Sequence, residues 1–197
     1  MTNNEKIFQS VQSLRSHGMV RDPNLFQNKQ FGFNEQGSAN PWYYEMHDLG
    51  LNYRLTDVQC ALGISQLKKL PSFVEKRRGL VARYNANFQN HSVLISPIKK
   101  IVNCNPAWHL YVVGIDFQNI GKSRSVVMKE LKEKNIGSQV HYFPVHLQPF
   151  YQRQNGVSCF PGAEAYYERA LSLPLHTNMT LNDVDYVAQA LIEICEG

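Results

Sequence analysis

The sequence has no long hydrophobic run and no hydrophobic leader. None of its apolar stretches approaches the roughly 18 residues that a membrane-spanning helix needs. The first six residues, Met1 to Lys6, are mostly polar and do not resemble the apolar core of a secretory signal peptide. These absences favour a soluble, cytoplasmic protein without a membrane partner.

Cysteine motifs are also missing. The four cysteines lie far apart in the sequence, at Cys60, Cys104, Cys159 and Cys195. This spacing excludes a CxxC metal or redox motif and favours free thiols in a reducing compartment. No glycine-rich phosphate-binding loop is visible either.

Clustered charge of one sign is absent. Lys and Arg number 20 against 16 Asp and Glu, which gives a net charge of +4. The basic pairs Lys68–Lys69, Arg77–Arg78 and Lys99–Lys100 are separated by apolar or acidic positions. Because nucleic-acid binding requires basic residues gathered on one face, a nucleic-acid partner is not expected.

What is present is typical of a globular protein, with 43% hydrophobic and 18% charged residues among 197. Within residues 5–15, apolar side chains recur at steps of three and four: Ile7, Phe8, Val11 and Leu14. This period predicts an amphipathic helix, and Gly18 is placed to end it. Residues 21–49 show no period, so they are predicted to form a long functional or interface loop.

Helical order returns at Thr56. Thr56 and Gln59 have the spacing of a capping box, which predicts the start of a helix. Pro71 can occupy the first turn of a further helix, so the sequence allows either two helices or one bent helix ending near Asn90–His91.

The remainder has the mixed pattern of a small α/β layer. A β-branched and aromatic run predicts a strand over residues 110–116, a helix follows over 123–134, and residues 139–142 predict a second strand. Further helices are predicted around 163–170 and after Thr180. A boundary is expected between residues 70 and 95, because the earlier part shows no sheet to pack on.

Several motifs cover almost the whole chain in a characteristic order. They are Leu14–Gly18, Trp42–Tyr44, Leu49–Gly63, Trp108–Val113, His141–His146, Phe160–Glu164 and Leu171–Leu175. The most specific is GLNYRLTDVQCALG at residues 50–63. Together they resemble the DegT/StrS-type family of sugar aminotransferases. The details are most similar to the enzymes of the pseudaminic-acid pathway that aminate a UDP-linked 4-keto-6-deoxy hexose.

The resemblance implies the C-terminal part of a type I, aspartate-aminotransferase-like fold with pyridoxal phosphate as cofactor. Residues 1–70 would form the end of the large cofactor domain and a dimer-interface loop. Residues 71–197 would form the small C-terminal α/β domain with its linking helix. A homodimer, a nucleotide-sugar substrate and an amino-acid donor, with glutamate as the family expectation, are implied as well.

The resemblance also implies a missing part. In the family, the lysine that bonds to the cofactor lies upstream of a Gly-Gly segment, and Met1–Asn3 aligns just beyond that segment. None of the lysines from Lys6 onward occupies the family's lysine motif. We therefore expect no catalytic residue in this chain, no covalent attachment of the cofactor, and no activity of the chain alone.

Asn52 is the candidate cofactor ligand. The family's matching asparagine reaches the cofactor phosphate of the neighbouring subunit, so Asn52 is expected to do the same. The alternative is an Asx turn before Thr56. Arg54 is a candidate ligand for substrate phosphate or carboxylate, with an ion pair to Asp57 or Asp48 as its alternative. Tyr53 is predicted to be a packed aromatic.

His141 and Tyr142 are the candidate substrate ligands of the second half, because the family's matching loop borders the nucleotide-sugar pocket. The alternative is the end of a strand followed by a turn fixed by proline. His146 lies nearby, but no third ligand with suitable spacing accompanies these residues, so no metal site is predicted.

The remaining singular residues receive structural predictions. His17 and His109 are expected to be structural histidines with satisfied hydrogen bonds. The aromatic group Trp42, Tyr43 and Tyr44 is expected to bury against a neighbouring subunit, with a sugar- or uracil-binding surface as the alternative.

One further function class stays open at the level of sequence. The chain could be a non-catalytic binding or assembly module that uses residues 20–60 to pair with a separate N-terminal half or with an intact homologue. The order of the motifs favours the aminotransferase over this module.

Overall fold

The computed structural model describes residues 2–91, 93–98, 101–156 and 158–197. Met1 and the basic pair Lys99–Lys100 lie outside the described residues. The chain divides into two compact units, one up to Leu67 and the other from Lys68. Within the ranges described, no helix has both the length and the apolar character needed to cross a bilayer.

The first unit consists of short elements. They are α1 (Glu5–Leu14), β1 (Met19–Val20), a 3-10 turn (Pro23–Leu25), α2 (Lys29–Gly32), β2 (Glu45–Met46) and the start of α3 (Asp57–Phe88). The prediction of α1 is confirmed. Asn4 caps it by accepting the amide of Ile7 at 3.2 Å, which satisfies one of the free N–H groups of the first turn.

The apolar stripe of α1 is only partly covered by the residues that the structure describes. Its four members, Ile7, Phe8, Val11 and Leu14, are between 41% and 55% exposed. The start of α3 is similar, since Val58, Leu62, Ile64 and Leu67 are all more than half exposed. Burial of such side chains is the main source of helix stability in proteins, so both helices present surface suited to a partner.

A narrow antiparallel ladder closes the base of the long loop. β1 pairs with β2, with Met19 opposite Met46. Two glycines permit the close approach of the chains. Gly18 has a φ of +69°, and a Cβ there would lie 1.8 Å from the carbonyl oxygen of Asp48. A Cβ on Gly50 would lie 2.2 Å from the amide nitrogen of Gly18.

The loop over residues 21–49 is organised by one carboxylate. Glu45 accepts hydrogen bonds from the amides of Gln27 and Asn28 at 2.8 and 2.7 Å and from the Tyr43 hydroxyl at 3.0 Å. It also pairs with His47 at 2.6 Å. Desolvation opposes the ionised form, but the bonds from Gln27, His47, Asn28 and Tyr43 outweigh it and lower the pKa of Glu45 to about 2.

The loop should therefore loosen in acid. The pKa of Glu45 in the folded protein lies below its ordinary 4.5, so these contacts stabilise the loop above pH 4.5 and are lost as the pH falls toward 2. Amide hydrogen exchange at Gln27 and Asn28, measured at pH 6 and pH 3 and corrected for intrinsic rates, should show lower protection in acid. Glu45→Gln should remove most of this pH dependence; an equal dependence in the variant would show that another group controls the loop.

α3 is one continuous helix of 32 residues that contains Pro71. The capping box is confirmed: the Thr56 hydroxyl accepts the Gln59 amide at 3.3 Å, and the Gln59 side chain accepts the Thr56 amide at 2.9 Å. Of the two arrangements allowed at Pro71, the structure has the single helix. Proline removes one helical hydrogen bond, and residues 80–88 offset that loss by burying four side chains.

The second unit contains the rest of α3 and the following elements. They are a 3-10 turn (Gln89–His91), β3 (Ile95–Pro97), β4 (Tyr111–Ile115), α4 (Arg124–Glu133), a 3-10 turn (Val145–Leu147), α5 (Pro149–Asn155), α6 (Pro161–Arg169), β5 (Ala170–Leu173) and α7 (Leu181–Glu196). The predictions of β4, α4 and α7 are confirmed. Thr180 and Asp183 form the capping box of α7, and α6 corresponds to the helix predicted at 163–170.

The three strands form an antiparallel sheet in the order β3–β4–β5. β4 is central, with Tyr111 opposite Leu173 and Ile115 opposite Ile95. The core packs on this sheet and includes the buried faces of α3, α4 and α7. At its centre Tyr84 stacks on Tyr111 with ring centroids 4.4 Å apart, and burial raises the pKa of both hydroxyls.

The prediction of a second strand over residues 139–142 is wrong. Residues 139–142 form only an isolated bridge between Gln139 and Ser172, and the sheet partners of β4 are β3 and β5 instead. The next hydrogen-bonded pair of this antiparallel ladder would involve the backbone of His141. Its carbonyl instead accepts from the Tyr166 hydroxyl at 3.1 Å, so the pairing stops after Gln139.

Ion pairs fix α7 to the end of α3. Arg83 donates two hydrogen bonds to Asp185, at 2.6 and 2.7 Å, and Asn87 donates a third at 2.8 Å. The Arg83 guanidinium and the Asn87 amide together lower the pKa of Asp185 to about 2. This network holds the two helices in a fixed register on the sheet.

Candidate functional site

The backbone around Asn52 is held on both sides. Ser16 and Asn52 form an antiparallel bridge. The amide of Leu51 donates to the carbonyl of Leu14 at 2.7 Å, and the amide of Tyr53 donates to the carbonyl of Arg15 at 2.9 Å. The motifs at 14–18 and 49–54, which are distant in sequence, therefore lie side by side and are joined by an isolated antiparallel bridge.

The side chain of Asn52 is exposed and has no hydrogen-bond partner among the residues the structure describes. The alternative Asx turn before Thr56 is thus not formed. The backbone is fixed on both sides of Asn52 by the hydrogen bonds of Leu51 and Tyr53. Its short amide side chain therefore loses little conformational entropy when it binds a ligand. This arrangement suits a residue that donates to an external anion.

Arg54 is similar. It is exposed, and none of the ion pairs formed by described residues joins it to Asp57 or Asp48. Its guanidinium is free to bind a planar anion through two parallel hydrogen bonds. Tyr53 is 76% exposed, so the packing predicted for it does not occur within this chain.

His141 lies in the second unit and is anchored at two points. Its Nδ1 is 2.8 Å from the hydroxyl oxygen of Ser172. Its carbonyl accepts the hydroxyl of Tyr166, from α6, at 3.1 Å. The ring of Tyr142 contacts the imidazole edge-on with centroids 4.6 Å apart, while Tyr142 itself is 68% exposed.

An open cavity of about 800 Å³ adjoins His141. Its polar lining includes Gln139, Ser172, His176 and Asp183, and its floor includes Leu173 and Met179. A cavity of this size, mostly apolar with a few convergent polar groups, is typical of a small-molecule site.

His146 has a separate role from His141. Its Nε2 pairs with the carboxylate of Glu164 at 2.9 Å, and its ring contacts Phe160 at 4.8 Å. The backbone amide of Phe160 donates to the same carboxylate, and these two bonds hold the pKa of Glu164 below its ordinary value. The compact group predicted from His141, Tyr142 and His146 is therefore divided: the first two share a ring contact, and the third fastens the loop to α6.

Two structural predictions are not met within the chain. Neither the imidazole of His17 nor that of His109 has a hydrogen-bond partner in the described ranges.

Among the loop aromatics, Trp42 is 74% and Tyr44 is 51% exposed, whereas Tyr43 bonds to Glu45 and packs edge-on against Phe26 at 4.9 Å. Burial of Trp42 and Tyr44 by a neighbouring subunit stays a prediction.

The whole of this arrangement can be compared with known proteins. Residues 1–192 match the profile of the DegT/DnrJ/EryC1/StrS aminotransferase family. The chain belongs to this family. Its α/β structure is part of the type I fold of pyridoxal-phosphate-type aminotransferases, as the resemblance implied.

Two sequence relatives illustrate the range of the aminotransferase family. The spore coat polysaccharide biosynthesis protein SpsC of Bacillus subtilis is 37% identical over 199 residues, which cover 100% of this chain and 49% of SpsC. A UDP-4-amino-4,6-dideoxy-N-acetyl-β-L-altrosamine transaminase of Campylobacter jejuni is 33% identical over 197 residues, covering 100% of this chain and 47% of the transaminase. The chain spans about half the length of the curated relatives it matches.

Solved structures of the family have the same fold. Helicobacter pylori PseC, an aminotransferase of pseudaminic acid biosynthesis, superimposes with a TM-score of 0.83 at 26% identity over 99% of this chain and 47% of PseC. A sugar aminotransferase of Streptococcus pneumoniae in its PLP form gives a TM-score of 0.78 at 25% identity over 99% of this chain and 45% of that chain.

Sequence reasoning missed three residues that support the candidate ligands. Ser172 and Tyr166 hold His141, and Glu164 holds His146. Ser172 carried a usable signal, since it is a single hydroxyl within the apolar run Ala170–Leu175. Tyr166 and Glu164 carried none, because their partners lie about 20 residues away in sequence and no local period records the pairing.

Proposed function

We propose that this chain is the C-terminal part of a pyridoxal-phosphate-dependent aminotransferase that transfers an amino group to a UDP-linked 4-keto-6-deoxy hexose. The observation that carries the proposal is the Asn52–Arg54 turn. It holds an amide donor and a guanidinium, both without partners among the described residues, on a backbone fixed by the Ser16 bridge. Family membership and the transaminase activity for which the Campylobacter jejuni relative is named supply the reaction class.

The two units have separate tasks in this proposal. Residues 1–70 form the end of the large cofactor domain and the surface that meets a second copy of the protein. The exposed apolar stripes of α1 and of the start of α3 support this assignment. Residues 71–197 form the small domain, which presents the 141–146 loop to the substrate.

The residues present fit a cofactor phosphate. The amide of Asn52 donates a hydrogen bond to a phosphate oxygen of the neighbouring subunit's cofactor, which is a charge-assisted contact. Arg54 binds an anionic group of the substrate, and His141 and Tyr142 contact the nucleotide sugar from the small domain. When bound, pyridoxal phosphate supplies the electron sink for amino transfer.

The lysine that bonds to the cofactor is proposed to lie outside these 197 residues. Such a lysine is usually desolvated, which lowers its pKa and frees its amine as a nucleophile. No lysine in the described ranges is buried; Ser172 is the buried polar residue there. Lys122 and Lys134, the two lysines best fixed by contacts, are paired with Glu130 and Glu193.

Reconstitution tests the proposal. The chain is combined with the cofactor-domain half of a family relative; we call the product the complemented enzyme. We expect the complemented enzyme to convert the UDP-linked keto sugar with glutamate and the chain alone to be inactive. Failure of both halves together to bind pyridoxal phosphate would overturn the aminotransferase assignment.

A second measurement addresses the lysine by itself. Borohydride reduction in the presence of pyridoxal phosphate fixes any lysine–cofactor bond, and mass spectrometry then locates it. We expect the label on the added half. A label on any lysine between Lys6 and Lys134 would place the lysine in this chain and leave the reaction class intact.

The alternative is a non-catalytic assembly module that pairs with a separate N-terminal half or an intact homologue. The exposed stripes of α1 and α3 favour it equally, since they suit any protein partner. Turnover separates the two functions: a module would associate with its partner and leave the partner's kcat unchanged when the Asn52 side chain is removed.

A further inference from the structure

Ser172 is the buried polar residue of the described chain, and it lies in the sheet. It is 4% exposed, in the middle of β5, where all four residues are buried. Its backbone is fully used, since its amide donates to the carbonyl of Gln139 at 2.7 Å and its carbonyl accepts the amide of Gln139 at 3.2 Å. The hydroxyl of Ser172 therefore takes no part in the backbone hydrogen bonds of the strand.

Burying a hydroxyl costs free energy unless a partner satisfies it. The partner here is Nδ1 of His141, 2.8 Å from the Ser172 oxygen. The Ser172 hydroxyl is therefore satisfied by the imidazole and not by the sheet.

The second anchor of His141 acts on a different part of the residue. The Tyr166 hydroxyl binds the backbone carbonyl of His141 and places the chain. It does not touch the ring nitrogens. Ser172 thus controls the rotation of the ring, whereas Tyr166 controls the position of the backbone.

The ring nitrogen left over is Nε2. It has no hydrogen-bond partner among residues 2–91, 93–98, 101–156 and 158–197. His141 and Ser172 both line the 800 Å³ cavity, together with His176 and Asp183. With Nδ1 held by Ser172, a ligand in this cavity can be bound through Nε2.

We propose that Ser172 is a positioning residue, whose hydroxyl fixes the orientation of the His141 ring through Nδ1 so that Nε2 is the nitrogen offered to the substrate. The substrate part of this statement rests on the proposed function, while the orientation of the ring does not. The pairing resembles the way a partner on one nitrogen of a histidine determines the role of the other.

Nitrogen-15 NMR of the full chain labelled in histidine tests the orientation directly. The sequence has seven histidines, and His141→Gln identifies the signals of His141 by their disappearance. We expect Ser172→Ala to shift the ring-nitrogen resonances of His141, that of Nδ1 most, because Nδ1 loses its hydrogen bond to the hydroxyl. Tyr166→Phe should leave those resonances in place, because it removes only the bond to the backbone carbonyl. Unchanged resonances in Ser172→Ala would overturn the proposal.

Two further variants guard against loss of folding. Ser172→Cys keeps a side chain of similar size but bonds weakly, so it should shift the His141 resonances even if Ser172→Ala is unstable. Ser172→Thr keeps the hydroxyl and should restore the wild-type resonances. A similar shift in both Cys and Thr variants would indicate packing rather than hydrogen bonding and would count against the proposal.

Kinetics of the complemented enzyme test the substrate part. Ser172→Ala should raise the KM for the UDP-linked keto sugar about fivefold, with a smaller change in kcat and none in the KM for glutamate. A shifted His141 resonance together with an unchanged KM would support the positioning of the ring and overturn the contact between His141 and substrate. The proposed aminotransferase function would survive that result, because it rests on Asn52 and Arg54.

Discussion

Asn52→Ala is expected to weaken binding of pyridoxal phosphate to the complemented enzyme by about 10- to 100-fold, because a hydrogen bond to a charged group contributes about 1.5–3 kcal/mol. The Asn52 backbone is held by the bridge to Ser16, and its amide is free of partners in the described chain. The variant therefore removes a contact to the phosphate without removing one that supports the fold. Titration of the enzyme with cofactor, followed by absorbance, measures the change.

A charge substitution sharpens this test. Asn52→Asp has nearly the same shape but places a negative charge beside the phosphate, so it should bind the cofactor more weakly than Asn52→Ala. Asn182→Ala is the matched control, since Asn182 is also exposed and also lacks a side-chain partner among described residues. If Asn52→Ala and Asn182→Ala have the same affinity as the wild type, Asn52 is not a cofactor ligand.

Gly18→Ala is expected to destabilise the first unit by about 2–4 kcal/mol and to lower cofactor affinity as a consequence. Alanine in a left-handed conformation costs about 1–2 kcal/mol, and Gly18 has a φ of +69°. The larger part comes from the contact, because the new Cβ would lie 1.8 Å from the carbonyl oxygen of Asp48, which is backbone and cannot turn away. The adjacent bridge between Ser16 and Asn52 would be disturbed as well.

Gly37→Ala provides the comparison for Gly18. Gly37 has a φ of +77°, but a Cβ added there would meet no atom within 4 Å, so that variant should show only the conformational cost of about 1–2 kcal/mol. Urea unfolding and hydrogen exchange of the Leu51 and Tyr53 amides measure both variants. Equal losses for Gly18→Ala and Gly37→Ala would mean that the close approach to Asp48 does not control the ladder.

Local signals predicted the longer helices, whereas the short helices α2 and α5 were not predicted. The helices predicted from the apolar spacing of residues 5–15, from the capping box at Thr56 and after Thr180 each begin where expected. These signals succeed because a helix satisfies its backbone within the segment, and its caps lie within three residues of its first turn.

Pairing between distant segments was much harder to predict. Residues 139–142 have the composition of a strand, yet the pairing ends after Gln139, where the carbonyl of His141 accepts from the Tyr166 side chain instead of from a neighbouring strand. The loop at 21–49 has no period, and its order depends on the four groups that converge on Glu45. No local sequence pattern predicts either the end of the pairing after Gln139 or the order of the loop at 21–49.

For the segment Asn52–Arg54, the sequence and the tertiary structure each determined a different part of the result. The sequence by itself determined the family, the capped helix after the turn and the identity of the candidate ligands, because these depend on residue types at short, fixed spacings. Only the tertiary structure decided that the turn pairs with residues 14–17, that Asn52 and Arg54 lack partners in the described chain, and that Ser172 reaches the ring of His141. These contacts join residues 31 or more positions apart, and such pairings are selected by the packing of the whole fold rather than by local preference.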